Sequence, residues 1–184
     1  MAVLSRVCEH EGMWKDRHGQ HLLWLLAFLG ASFGAAVLGS LFTVPALDTW
    51  YRSLRKPRWT PPDRIFGPVW TILYTQMAVA AWLVYRAVAK RPEATRRVGR
   101  LALLAWGVQL LLNVGWSAAF FGRRSPAAGL FVIILLWTAI AITVALAAQV
   151  SRLAGLLLLP YLAWTGLATA LNVKVWQLNS SARG

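Results

Sequence analysis

The sequence predicts an all-α membrane protein: a five-transmembrane-helix bundle with a long Pro/Trp-rich loop after the first helix. Three observations lead there. The 184 residues are 58% hydrophobic with a mean hydropathy of +0.55. A soluble domain of this size still needs a polar exterior, whereas here the polar residues are gathered into short islands. Five apolar runs, 22–44, 66–85, 101–121, 127–149 and 153–173, are each long enough to cross a hydrocarbon core of ~30 Å at ~1.5 Å per residue. The first four contain no Asp, Glu, Lys or Arg, and the fifth stays uncharged until Lys174, which can snorkel to the interface. Backbone groups in lipid must be satisfied internally, so the runs are helices.

Residues 1–20 are polar and mixed in charge and are expected to form an N-terminal tail. The spacing of Cys8, His10, His18 and His21 fits no zinc pattern, so no metal site is expected. The apolar run that follows is too long for a signal-peptide core and lacks a convincing cleavage site, so it stays as the first span. Its Gly30-x-x-x-Gly34 pair permits a close helix contact, and Gly39 is a third small residue there. With one cysteine, no disulfide framework is available.

Between the first two spans lies WYRSLRKPRWTPPDRIFGPVWTILY, residues 50–74. An ordinary loop is small and polar; this one is aromatic, basic and stiffened by Pro57, Pro61, Pro62 and Pro68. Each proline fixes its own φ and drives the preceding residue toward extended geometry. Trp59 is thereby held on a semi-rigid strap, and a strap with an apolar face covers either a helix or a bound molecule.

The later breaks are shorter. Arg86 to Arg100 reads as a basic linker broken by Pro92, Gly122 to Pro126 as a tight turn carrying Arg123 and Arg124, and Val150 to Arg152 as a tighter one. Spans three, four and five are therefore antiparallel neighbours. Residues 21–179 form one membrane domain and 180–184 a C-terminal tail, with no internal repeat. The net charge of +13 does not point to nucleic acid, because the cations are spread over every loop, where they serve phospholipid headgroups. The 19 Lys and Arg divide almost evenly between the two sides and set no orientation.

Polar residues inside spans are costly, so their placement carries information. Gln109, Asn113, Trp116 and Phe120 share one helical face of span three. Tyr161, Trp164, Thr165, Ala168 and Asn172 share one in span five, and Phe66, Trp70, Tyr74 and Met77 one in span two. Trp137 lies midway along span four, deeper than an aromatic belt. Taken singly, such residues are bundle glue and headgroup anchors. Together beneath a rigid aromatic loop they favour a cavity for a flat, largely apolar molecule, with Asn113 orienting a polar group. No carboxylate lies inside the spans, which argues against a proton- or cation-coupled pump. The bundle also holds no acid–base pair, no nucleophile–base constellation and no phosphate-cradling glycine loop.

Several ordered motifs then fit one family. They are Trp50-Tyr51 with Leu54-x-Lys56-Pro57-x-Trp59-x-Pro61-Pro62, and Gly67-Pro68-Val69-Trp70 with Leu73-Tyr74. Further on come Leu112-Asn113 with Trp116, Phe120-Phe121-Gly122, and Pro160-Tyr161-Leu162-Ala163-Trp164 ending in Leu171-Asn172. From about Gly39 to Asn179 the chain resembles the TspO/MBR family, the tryptophan-rich sensory proteins of bacteria and the translocator proteins (peripheral-type benzodiazepine receptors) of mitochondria. The resemblance implies a five-helix homodimer with a ligand cavity between the helices, closed by the loop after helix one. It implies porphyrins and other tetrapyrroles, sterols, and synthetic isoquinoline carboxamides and benzodiazepines as ligands. Trp59, Asn113, Trp116, Trp164, Ala168 and Leu171 match family pocket positions, and Trp137 a tryptophan of bacterial members. Tyr51 and Trp70 match positions whose role is open between packing and binding.

One departure narrows the ligand. The cholesterol motif of animal members places a Tyr after the Leu-Asn pair and an Arg after a Trp; here Val173 and Gln177 stand there, around an intact Trp176. That argues against sterol recognition by this route and for a bacterial-type member, in a bacterial cell membrane, handling tetrapyrroles. Three functions compete. One is a receptor, sensor or carrier for porphyrins, with tetrapyrrole as ligand rather than cofactor. Another, implied by the family, is a Trp-dependent photo-oxidative porphyrin-degrading enzyme, for which no catalytic residue is visible. The last is a structural membrane partner whose cavity is incidental.

Overall fold

A computed structural model describes residues 2–88 and 91–180, with side chains from residue 20 onward. Five helices make up the architecture, with no strand among the described residues: α1 (Ala2–Ala46), α2 (Phe66–Val88), α3 (Glu93–Ser117), α4 (Pro126–Val150) and α5 (Arg152–Ser180). All five are long and apolar enough to cross a membrane. Around the bundle each helix packs on its neighbours in the order α1, α2, α5, α4, α3 and back to α1, and α2 also touches α3 across the middle.

The apolar stripes account for that arrangement. Leu73, Met77, Ala80, Ala81 and Val84 of α2 meet Ala102, Trp106 and Leu110 of α3, Ile133, Leu136 and Ile140 of α4, and Leu158 and Tyr161 of α5 in one core. Small residues set the closest approach. An ideal Cβ on Gly155 would lie 2.7 Å from the Cβ of Ala148, so α4 and α5 touch almost backbone to backbone. The α4 and α5 starts are capped alike: Ser125 Oγ accepts the Ala128 N–H at 3.2 Å, with Pro126 opening the helix, and Ser151 Oγ accepts the Ala154 N–H at 3.3 Å. The α3–α4 turn is closed by Arg124 at φ 51°, the single non-glycine residue in the left-handed region among those described.

Helix ends depart from the sequence expectations, always by running further. Residues 2–20, expected as a tail, continue α1. The supposed linker 86–100 is mostly helix, since α2 reaches Val88 and α3 starts at Glu93. Arg and Glu are good helix formers, and Glu93 pairs with Arg96 and, at 2.7 Å, with Arg100 along the first turns. The fifth helix passes Lys174 and ends at Ser180, and 181–184 lie outside the described residues, as do the side chains of Cys8, His10 and His18. At the other end of α1 the chain stays helical through Trp50 and Tyr51, in a wide π-helical turn (Leu47–Tyr51). That turn follows Pro45, whose missing N–H breaks the regular ladder, and Thr49 Oγ1 donates to the Pro45 carbonyl at 3.2 Å.

The glycine pair of α1 is also placed differently from its expected packing role. A Cβ at Gly30 or Gly34 would meet nothing within 4 Å, whereas one at Gly39 would come 3.2 Å from Ser117 Oγ of α3. The contact within the chain is made at Gly39; Gly30 and Gly34 lie on the exposed side of α1.

Candidate ligand-binding site

The three polar–aromatic faces read from residue spacing do turn inward and meet. Tyr74 donates its hydroxyl to Asn113 Oδ1 at 2.7 Å, and Asn113 Nδ2 donates to the Tyr161 hydroxyl oxygen at 3.0 Å. This chain joins α2, α3 and α5 at the centre of the bundle, where all three side chains are buried. One level nearer the strap, Trp116 Nε1 donates to Asn172 Oδ1 at 3.2 Å, and Asn172 Nδ2 donates to the Pro126 carbonyl at 2.7 Å. Trp106 Nε1 donates to the Met77 carbonyl at 3.0 Å. Such bonds are the expected glue of a membrane bundle, where an unpaired polar group has no water to turn to.

The seven expected site residues are therefore divided among several environments. Asn113 has its amide committed to two tyrosines, and Trp116 stacks on Phe120 at 5.5 Å between ring centres. Trp137 is 41% exposed on the outside of α4, and its indole nitrogen would lie 3.4 Å from a Cβ on Gly166 of α5. Trp59 is 48% exposed on the strap. Trp164 is half-buried and meets Phe66 edge to face at 5.6 Å. Ala168 and Leu171 follow it along α5, partly buried, with Ala168 packed on the core. Of the seven, Trp164 alone lines the groove between α2 and α5.

A cavity does open beside them. A groove of about 370 Å³ runs between α2 and α5, walled by Val69, Ile72, Leu73 and Gln76 on one side and Pro160, Ala163, Trp164 and Leu167 on the other. The α2 residues fall at i, i+3, i+4 and i+7, so they form one stripe of the helix. Trp164 is the groove's aromatic wall. Gln76 and Pro160 were missed as site residues, although an amide inside an apolar run was a visible signal.

The strap is an ordered connection. Thr60 folds back on Pro57, its N–H at 3.0 Å and its hydroxyl at 2.7 Å from the Pro57 carbonyl. Lys56 Nζ sits 4.0 Å from the centre of the Tyr51 ring, which in turn packs on Phe121. Asn179 of α5 binds the strap backbone at Arg55. The strap then enters α2 at Phe66, the residue that packs on Trp164, so its end meets the aromatic side of the groove. Among the described residues no group of three His, Cys, Asp or Glu lies close enough to hold a metal ion.

Sequence comparison places this architecture among known proteins. The profile of the TspO/MBR family matches residues 26–177. The chain is 41% identical over 160 residues to the tryptophan-rich protein TspO of Chlorobaculum tepidum, covering 87% of this chain and 98% of that one. It is 40% identical over 156 residues to the human translocator protein, covering 85% and 89% of the two chains. It is 36% identical over 154 residues to the tryptophan-rich sensory protein of Cereibacter sphaeroides, covering 84% and 90%.

Proposed function

The chain belongs to the TspO/MBR family of multi-pass membrane proteins, and we propose that it is a receptor, sensor or carrier for porphyrins and similar flat apolar ligands. The observation that carries this reading is the position of Trp164, a residue the family resemblance assigns to the pocket and the aromatic wall of the α2–α5 groove. An indole face offers stacking area to a planar ring, and a groove between two neighbouring spans gives a lipid-soluble ligand a place to lie. Relatives that bear the names sensory protein and translocator protein agree in kind with such a role. The reading includes a bacterial cell membrane as the location and a homodimer, for which the bare Gly30–Gly34 side of α1 is a suitable contact.

The test is a tryptophan-fluorescence titration of the purified protein with protoporphyrin IX. Saturable quenching that weakens in Trp164→Ala supports the reading. Quenching that does not saturate and equals that in empty detergent micelles overturns it. The same complex under light reports on catalysis: a modified product beyond one equivalent per chain would make the protein a porphyrin-degrading enzyme instead.

A further inference from the structure

The start of α3 carries an uncommitted cation at the head of an outward-facing apolar stripe. Arg97, Leu101, Leu104, Val108 and Leu111 fall at i, i+4, i+7, i+11 and i+14, which is one side of the helix. That side is turned away from the bundle. All four apolar residues are exposed, Leu104 and Leu111 by 65% and 75%, while Ala102, Trp106, Leu110 and Asn113 on the opposite side are buried. From Leu101 to Leu111 the stripe is ~15 Å long at ~1.5 Å per residue, half of a ~30 Å hydrocarbon core. It therefore matches one leaflet, the depth that a single acyl chain fills. Arg97 stands one turn beyond Leu101, at headgroup level.

Charge at this corner is one-sided. Between Arg86 and Arg100 the described side chains bring five arginines (the others are Arg91, Arg96 and Arg97) and one carboxylate, Glu93. Glu93 is taken by Arg96 and, at 2.7 Å, by Arg100. Arg86 lies 4.5 Å from the centre of the Trp82 ring. Arg97 is exposed and pairs with no described residue. Its guanidinium has the fork that meets a phosphate at two oxygens.

Fixed cations in excess beside an apolar stripe suit an amphiphile with a negative head. A zwitterionic headgroup brings an ammonium along with its phosphate, and among five guanidiniums the ammonium is repelled. A phosphodiester without an amine brings the negative charge alone. A soluble anion would use the arginines but leave the stripe uncovered. We infer that the Arg97 corner of α3 is a site for an anionic glycerophospholipid, its phosphodiester met by Arg97 and one acyl chain laid along Leu101, Leu104, Val108 and Leu111. Past the far end of the helix there is no equivalent. Arg123 is also exposed there, but Ala119, Phe120 and Phe121 beneath it are buried, so no outward apolar stripe descends from it. The inference is independent of what the α2–α5 groove binds.

The experiment is native mass spectrometry of the detergent-purified protein, titrated in turn with phosphatidylglycerol and with phosphatidylcholine of the same acyl chains, reading the affinity of the first bound lipid. Wild type should favour phosphatidylglycerol by about fivefold, the size expected of one arginine near an anionic headgroup. Arg97→Gln should bring the two lipids level, whereas Arg97→Lys should keep most of the preference and Arg123→Gln all of it. Thermal stability should be the same in all four proteins, since both positions are exposed. No preference in wild type, a preference that survives Arg97→Gln, or one that falls equally in Arg123→Gln overturns the inference. Glycerol phosphate, added at the same concentration as the lipid, should fail to displace phosphatidylglycerol. Displacement would show a phosphate site indifferent to the acyl chain and would overturn the assignment to a lipid.

Discussion

Asn179 holds the backbone of Arg55 at both of its polar groups, accepting the Arg55 N–H at 3.1 Å and donating to the Arg55 carbonyl at 3.0 Å. A further bond from Asn179 Nδ2 to the Val175 carbonyl, at 2.7 Å, fixes the amide on its own helix. The end of α5 therefore grips the strap as a neighbouring β-strand would. A grip on backbone is indifferent to the side chain at 55 but demands an amide of this length at 179.

Asn179→Ala should release the strap. Residues 54–62 should become more sensitive to protease, and bound protoporphyrin should dissociate faster, because a loosened cover reopens more often. Thermal stability should fall little, since the contact lies at the bundle's edge. Replacing Pro57, Pro61 and Pro62 together with Gly should act in the same direction by raising the strap's conformational entropy. An unchanged dissociation rate in both variants would reduce the strap to a connector.

Asn113→Leu should lower the stability of the bundle by about 1–3 kcal/mol, seen as a lower Tm in detergent. The loss comes from two stranded hydroxyls, those of Tyr74 and Tyr161, more than from the bonds themselves. Adding Tyr74→Phe and Tyr161→Phe to Asn113→Leu should then recover much of the stability, because no orphan remains. If the triple variant is no better than the single one, the amide–tyrosine chain contributes directional strength beyond satisfaction.

Glycines in the same bundle should respond oppositely to alanine. Gly155→Ala would press a methyl into Ala148, 2.7 Å from its Cβ and 3.0 Å from its Cα, and should cost about 1–3 kcal/mol by forcing α4 and α5 apart. Gly107→Ala meets nothing within 4 Å and should be neutral or gain up to about 1 kcal/mol from helix propensity. Thermal denaturation of the two variants side by side checks the contrast.

Tryptophan substitutions should separate the groove from the surface. Trp164→Ala should weaken protoporphyrin binding by about 1–3 kcal/mol. Trp59→Ala and Trp137→Ala, at residues 48% and 41% exposed, should change it much less. Losses at Trp59 and Trp137 with none at Trp164 would place the ligand beneath the strap and across α4, away from the α2–α5 groove.

The five spans were legible in the sequence because their cause is local: an uncharged apolar run of spanning length has one stable conformation in lipid. The inward faces were legible for a similar reason. Gln109, Asn113, Trp116 and Phe120 share a side of α3 wherever α3 lies, since the helical repeat sets it. Helix ends were less legible. Charge at Arg86–Arg100 marks where the membrane stops, and a helix of Arg and Glu continues into water regardless.

What each face meets was decided only by the tertiary packing. Periodicity put Tyr74, Asn113 and Tyr161 on inward sides, but only the rotation of α2, α3 and α5 about their axes joined them into one hydrogen-bonded chain. The same rotations turned Trp137 outward, left Gly30 and Gly34 bare, and parted α2 from α5 just where Gln76 and Pro160 stand. A sequence carries the period of a helix; its azimuth in the bundle comes from the volumes of residues distant along the chain, such as Gly155 against Ala148, that must fit together at once.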